Sequence, residues 1–343
     1  MRIAMSIGHG DGLDRRAVDR LDELERAGLD MAWVGEAYGF DAPTLLGYLA
    51  AKTSRIELGA GILNLYSRPP TLLAQSAAAL DYVSGGRAVL GLGTSGPQVI
   101  EGWYGVPYDQ PLRRTREAID ICRQVWRGQR IDHEGAYQIP LPASVGTGLG
   151  KPLKMAAHPV RDRIPIYVAA LGPKNVELTA EVADGWLSLM FIPEKAETVW
   201  AEALTAGRAR RPPELGPLEI QAGGPVAIGE GLEHLRDAGR PTAARYIGGM
   251  GSRGTNYYND LARRYGFEAE ARHIQDLYLD GHRQEAEAAV PEAFLEQTSL
   301  IGPASYVRER VARYAEAGVT QLTVTPLGDD PVAVISQLKE WTA

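Results

Sequence analysis

Eight short apolar runs, at 3–7, 31–34, 56–63, 88–92, 166–170, 185–189, 220–228 and 322–325, punctuate this chain. Amphipathic segments such as 15–27, 71–83, 113–126, 176–183 and 306–317 lie between most of them. A run that is apolar at every position, and not at alternate ones, reads as a strand covered on both faces. Strands that alternate with helices demand a parallel sheet, since each crossover carries the chain back to the same end. Eight such units favour a closed (β/α)8 TIM barrel of the α/β class; an open doubly wound sheet is the competing arrangement. One barrel domain then takes in the whole chain, 1–343, because about 250 residues plus insertions fill that length. Two stretches break the rhythm. Residues 129–163 are rich in glycine and proline around a hairpin-like 131–139, and 229–302 are largely helical. Both read as insertions over the C-terminal face, where barrels of this kind build their sites.

Composition narrows the function. With 45% apolar and 23% charged residues the chain is ordinary globular protein, able to bury a sizeable core. A net charge of −7 lacks the basic footprint of a nucleic-acid binder, so no nucleic-acid partner is expected. No apolar stretch is long enough for a signal peptide or a membrane helix, which leads to the expectation of a cytoplasmic protein with no membrane partner. The single cysteine, Cys122, shares a helical stripe with Ile119 and Trp126 and reads as inert packing. One cysteine excludes a disulfide framework, and the six histidines form no metal pair at helical spacing, so no metal site is expected. A serine-nucleophile elbow, Gly-x-Ser-x-Gly, is not present.

Chemistry in a barrel comes from residues at the strand ends: His9, Glu36, 61–64, 93–96, 171–175, Ser188 and Gly223-Gly224. His9 is placed to exchange a proton, or to sit in a solvated loop. Glycine inside a strand, as in Gly59-Ala60-Gly61, marks a bulge, a backbone approached closely by a ligand, or tight packing against a neighbouring helix. Gly91-Leu92-Gly93-Thr94-Ser95-Gly96 matches the spacing of a dinucleotide fingerprint. Pro97 follows at once, though, and no acidic residue closes a strand about 20 residues on. What remains is a glycine loop at the mouth that offers the Thr94 and Ser95 hydroxyls. Ala169-Ala170-Leu171-Gly172-Pro173-Lys174-Asn175 passes from strand into helix, and free amides there, helped by the helix dipole and Lys174, attract an anion such as phosphate. Trp103, Tyr104, Tyr108 and Tyr137 either line a cavity or fill the core.

Four segments together carry a resemblance. They are Met31-Ala32-Trp33-Val34-Gly35-Glu36-Ala37; Leu58-Gly59-Ala60-Gly61-Ile62; Ser67-Arg68-Pro69-Pro70-Thr71-Leu72-Leu73-Ala74-Gln75, with Gly85-Gly86-Arg87 and Gly91-Leu92-Gly93 beyond it; and Ile164-Pro165-Ile166-Tyr167-Val168-Ala169-Ala170-Leu171-Gly172-Pro173, with Ala183-Asp184-Gly185-Trp186. On them the chain resembles, over nearly its whole length, the luciferase-like flavin and deazaflavin oxidoreductases, and among these the coenzyme F420-dependent branch. The resemblance implies a bulge in the third strand with a non-prolyl cis peptide at Gly61-Ile62, forming with Asn64 the bed of the deazaflavin ring. It sets Gly93, Thr94 and Ser95 along that ring, and Ala170, Leu171, Gly172, Pro173, Lys174 and Asn175 around the coenzyme phosphate.

The activity implied is hydride transfer between the deazaflavin C5 and a small organic substrate. Sugar-phosphate dehydrogenase relatives often carry aspartate then histidine at the end of the second strand. This chain has Glu36 then Ala37, so that oxidation loses its base, and reduction of an activated C=C, C=N or C=O gains weight. Glu36 with a raised pKa, His9, a tyrosine such as Tyr66, and water are the candidate proton donors. Pairing into a homodimer through the early helices is implied as well. An FMN-dependent monooxygenase on the same fold, or a catalytically silent ligand-binding barrel, are the alternatives.

Overall fold

The computed structural model describes residues 1–9 and 12–342, apart from the side chain of His9. Eight parallel strands form a closed ring: β1 (Arg2–His9), β2 (Met31–Val34), β3 (Glu57–Ala60), β4 (Ala88–Gly93), β5 (Ile166–Ala169), β6 (Gly185–Leu187), β7 (Glu219–Ile228) and β8 (Gln321–Pro326). Their order follows the chain, and the ring shuts where β8 pairs with β1, Ile3 opposite Leu322. That closing pairing excludes the open sheet. Each apolar run of the sequence supplies one barrel strand. β2 and β4 are buried at every position, the burial that a sheet sealed on both faces imposes.

The run 56–63 shows where the sheet departs from regularity. β3 stops at Ala60, the Gly61–Ile62 peptide is cis, and Leu63–Asn64 rejoins the sheet beside β4 with Leu63 opposite Leu92. This is the bulge expected of the third strand. Helices pack outside the ring, several with proline in the first turn, where the missing N–H costs nothing: Pro70–Ser84, Pro111–Trp126, Pro173–Val182 and Pro331–Thr342. Cys122 and Trp126 face inward from the second of these, and the Trp126 indole donates to the Ala74 carbonyl at 2.9 Å. Burial pushes the Cys122 thiol up to about 12, so it is the inert packing residue its spacing suggests.

Alternation along the strands decides what fills the barrel. Ala4, Met31, Trp33, Val89 and Tyr167 form a buried plug in its N-terminal half. The Trp33 indole donates to Gln321 Oε1 at 3.0 Å, and the Tyr167 hydroxyl donates to Glu219. A β-carbon on Gly59 would lie 2.4 Å from the Trp33 ring and 2.6 Å from Met31 Cε. Glycine at 59 thus makes room for an indole inside the barrel, not for a helix outside it. Gly91 answers to its own contact: a β-carbon there would meet the Ala60 carbonyl oxygen at 1.8 Å.

The two insertions part company. Segment 229–302 folds largely into short helices, among them Tyr257–Arg264 and Glu268–Leu279, and brings Tyr257 beside Gly172 at the mouth. Segment 129–163 instead runs along the flank of helix Pro111–Trp126. Toward the rim it sends Tyr137, whose hydroxyl donates to the Leu65 carbonyl at 3.1 Å. It ends at the N-terminal face, where Arg161 pairs with Asp81 and Arg163 with Asp184. The expected cover over the C-terminal face therefore comes from the second insertion. Among the described residues no helix is long and apolar enough to cross a membrane.

Candidate active site

Above the Trp33 plug the inward positions turn small, and the barrel opens. Ser6, Gly8, Gly61, Gly93, Ala169 and Gly223 follow one another around the ring, and Gly61 is exposed despite lying at the end of an otherwise buried strand. Ile62 crosses this floor, close enough to Gly93 that a β-carbon there would sit 2.9 Å from Ile62 Cδ1. A flat group can therefore rest on backbone between β3 and β4. Thr94 and Ser95 follow at the end of β4, both half-buried, with Ser95 in the left-handed region at φ 54° so that the chain turns off the strand at once.

One strand further round, the turn into helix Pro173–Val182 presents unused polar groups. Among the described residues the amide N–H groups of Gly172 and Lys174 find no acceptor, and Asn175 Oδ1 is buried without a partner. Turned over, the same carboxamide offers two donors. Positive helix dipole, free amides and an idle carboxamide make this an anion position. The Ala170 carbonyl is held by the Trp186 indole at 2.9 Å and its methyl is buried, which leaves Ala169 and Leu171 as the neighbours that face the opening. Lys174 does not join them. Its ammonium is turned to the outer surface, 3.2 Å from Glu177, with the side chain 81% exposed.

The expected proton donors fare differently. Glu36 is buried and closes a two-pronged pair with Arg68, whose Nη1 donates to Oε1 at 2.7 Å and Nη2 to Oε2 at 2.8 Å. The Ala42 amide donates to Oε2 at 3.0 Å, and Arg68 reaches Asp41 Oδ1 at 2.6 Å. Hydrogen bonding to Glu36 keeps the Arg68 guanidinium above its ordinary pKa although burial opposes it. Burial pushes Asp41 up, but hydrogen bonds from Thr44 and Arg68 prevail and hold it below the usual carboxylate range. With Oε1 taken by Arg68 and Oε2 by Arg68 and the Ala42 amide, the donor role expected of Glu36 does not fit its surroundings; it is a brace between β2 and the loop after β3.

Tyr66 is likewise engaged. Its hydroxyl donates to the Asp109 carbonyl at 2.8 Å, and its ring stacks on Tyr108 with centroids 5.2 Å apart. Burial drives it above the ordinary tyrosine range, and its one hydroxyl proton is already committed to the Asp109 carbonyl, which takes it out of the donor role. Asn64 Oδ1 accepts from the amides of Tyr66 and Ser67 at 3.0 and 2.7 Å, an Asx turn that shapes the loop. The side chain of His9 lies outside the described residues.

The wall joins three aromatics that the sequence offered as cavity lining or core, Trp103, Tyr104 and Tyr108, to two that it left without a role, Tyr38 and Phe40. Tyr38, Phe40 and Trp103 are exposed at the rim, Tyr38 and Trp103 with ring centroids 6.2 Å apart. Tyr104 donates to the Ala37 carbonyl at 3.2 Å and so ties the loop after β4 to the loop after β2. Tyr108 is half-buried with its hydroxyl against the Thr94 side chain; burial raises it above the ordinary range and that contact lowers it only in part. The signal for Arg68 was its place directly before Pro69-Pro70 at the mouth end of β3, but its partner is 32 residues earlier.

Comparison with known proteins agrees with this architecture. The family model of luciferase-like monooxygenases matches residues 6–321. A Mycobacterium tuberculosis protein, provisionally named coenzyme F420-dependent oxidoreductase Rv3520c, is 39% identical over 331 residues, 95% of each chain. The 5,10-methylenetetrahydromethanopterin reductase of Archaeoglobus fulgidus is 29% identical over 313 residues, 89% of this chain and 88% of that one. Among solved structures, the coenzyme F420-dependent tetrahydromethanopterin reductase of Methanopyrus kandleri superposes with a TM-score of 0.76 at 24% identity, covering 98% of this chain and 96% of its own, and so shares the fold.

Proposed function

Because the chain belongs to the luciferase-like monooxygenase family and is a coenzyme F420-dependent oxidoreductase within it, we propose that it reduces an activated C=C, C=N or C=O bond of a small, largely apolar substrate. When bound, the reduced deazaflavin supplies the hydride from its C5 carbon. The observation that carries the reading is the continuous floor from Gly61–Ile62 across Gly93 to the unpartnered amides of Gly172 and Lys174 and the idle Asn175 carboxamide. A flat ring with a phosphate on its side chain fits that sequence of surfaces: bare backbone first, then an anion position.

The chain's own residues then have assignable work. Ile62, Gly93 and Thr94 orient the ring, while Tyr38, Phe40 and Trp103 shed water from the face above it. Arg68 is matched by two carboxylates, Glu36 and Asp41, so the wall beside β2 offers no spare positive charge to the substrate. That wall suits an uncharged acceptor better than a sugar phosphate. The Tyr108 hydroxyl, beside Thr94, is the group we assign to protonate the reduced product. We further propose a homodimer, since Tyr48, Leu72, Tyr82 and Val83 are exposed on the neighbouring helices Ala42–Lys52 and Pro70–Ser84.

Separate titrations of the purified protein with F420 and with FMN, followed by cofactor fluorescence, test the reading. Saturable binding of F420 at micromolar concentration or below, and at least about tenfold weaker binding of FMN, is expected. Retention of FMN with no hold on F420 would transfer the chain to the monooxygenase alternative. Reduced F420 offered with enones, imines and dehydroamino acids then identifies the bond reduced.

A further inference from the structure

Outside the barrel, between the first turns of helix Pro111–Trp126 and the length of helix Pro173–Val182, lies a cleft of about 230 Å³ to which the activity above gives no task. Four cations line it, Arg113, Arg116, Lys174 and Arg210, against two carboxylates, Glu177 and Glu181. An excess of positive charge is out of keeping with a chain of net charge −7. The two carboxylates are shared: Glu177 pairs with Lys174 and Arg210 at 3.2 and 2.8 Å, Glu181 with Arg116 and Arg210 at 2.8 and 3.1 Å. Arg113 reaches instead to Glu117, 2.7 Å away outside the cleft. All four cationic side chains are exposed, and exposed ion pairs are worth roughly 0–1 kcal/mol, so an incoming carboxylate can take a place among them at little cost.

Position gives the cleft its meaning. Lys174 is the second residue of the helix whose first turn carries the free amides, so the cleft opens one residue from the anion position. From Lys174 to Glu181 the helix rises about 10 Å, a span of roughly three extended residues. Coenzyme F420 carries an oligoglutamate chain beyond its phosphate. We propose that this cleft holds that chain, with Lys174 and Arg113 at its entrance and Arg116 and Arg210 further down. The inference rests on the F420 reading and deepens it, giving the outward turn of Lys174 a function in place of the phosphate contact expected from sequence.

The test is equilibrium binding, read by coenzyme fluorescence, of two probes: F420 with five glutamates, and F420-0, which ends at the phospholactyl group. Wild-type protein is expected to bind the long form about 5- to 20-fold more tightly at low salt, from a few exposed charge contacts, with the advantage shrinking as salt is raised. In the triple variant Arg113→Gln, Arg116→Gln, Arg210→Gln the advantage disappears while F420-0 binds as before. Equal affinity of the two forms for the wild type, or an advantage that survives in the variant, overturns the proposal and leaves the coenzyme reading intact. If neither form binds, both fall together. The wild-type comparison needs no variant to fold.

Discussion

At the N-terminal end of the barrel Asp81, wholly buried, is held by the Arg161 guanidinium and accepts the Ala88 amide at 3.1 Å, and Asp184 is held by Arg123 and Arg163 and takes the Ile166 amide at 2.9 Å. At the other end of the same strands the Gly172 and Lys174 amides and the Asn175 carboxamide oxygen have no partner among the described residues, and glycine stands where a side chain would otherwise close the bowl. Polar groups satisfied by the chain itself stabilise the fold; polar groups left idle at a concave mouth are available to a ligand. The contrast predicts that substitutions at the two ends separate stability from binding.

Asp81→Ala is the harshest way to test it. Removing the carboxylate leaves the Ala88 amide without its acceptor and Arg161, 30% exposed, with only the Ala88 carbonyl, at a cost of about 2–4 kcal/mol. Chemical denaturation should show that drop, while the fraction that remains folded binds F420 within about twofold of wild type, a difference under roughly 0.5 kcal/mol. Unchanged stability would deny the N-terminal end its role. Gly93→Val is the complementary change. Its added carbons meet Ile62 and cover the floor, so the F420 dissociation constant should rise at least about 30-fold, near 2 kcal/mol, while stability falls by about 1–2 kcal/mol as Ile62 gives way. Undiminished binding would mean that the ring lies elsewhere.

The same contrast explains what could be read from the chain before its structure. All eight strands were legible because burial on both faces writes continuous apolar runs, and the turn 169–175 was legible because helix starts have local signatures. The break at Gly61–Ile62 came from family resemblance, not from any periodicity. Side-chain direction at the mouth was beyond local rules: the engagement of Glu36 depends on Arg68, and the glycine at 59 on Trp33, each set by a neighbouring strand or loop. Lys174 is the exception. Glu177 follows at i+3 on the same helix, a spacing that favours an outward pair and that the anion argument overrode. Segment 129–163 shows only the hairpin at 131–139, formed as His133–Glu134 against Gln138–Ile139, and its anchor joins Arg161 to Asp81 across 80 residues, so its course along the flank left no local trace.

The smallest effect belongs to Glu25, at the end of helix Leu21–Arg26 on the N-terminal face. Its Oε1 accepts from the Ser54 and Ile56 amides at 3.0 and 2.9 Å, and Oε2 from the Ser54 hydroxyl at 2.7 Å, fixing the turn that feeds β3. Burial pushes this carboxyl up, but the hydrogen bonds from Ser54, Arg55 and Ile56 outweigh it and lower the pKa from 4.5 to about 2. A carboxylate depressed in the folded state contributes its stability fully above the unfolded value and loses it as pH falls through the folded one. The contribution is therefore complete above pH 4.5 and disappears progressively down to about pH 2. Glu25→Gln keeps the shape but weakens the charged acceptor, and should cost about 1–2 kcal/mol at pH 7. Urea melts of the two proteins at pH 7 and pH 3 supply the check: the gap between them should narrow at the lower pH, with F420 affinity at pH 7 the same in both. A gap of constant width would show that the loop is held by packing, and that the N-terminal end owes less to its ionised groups than Asp81 suggests.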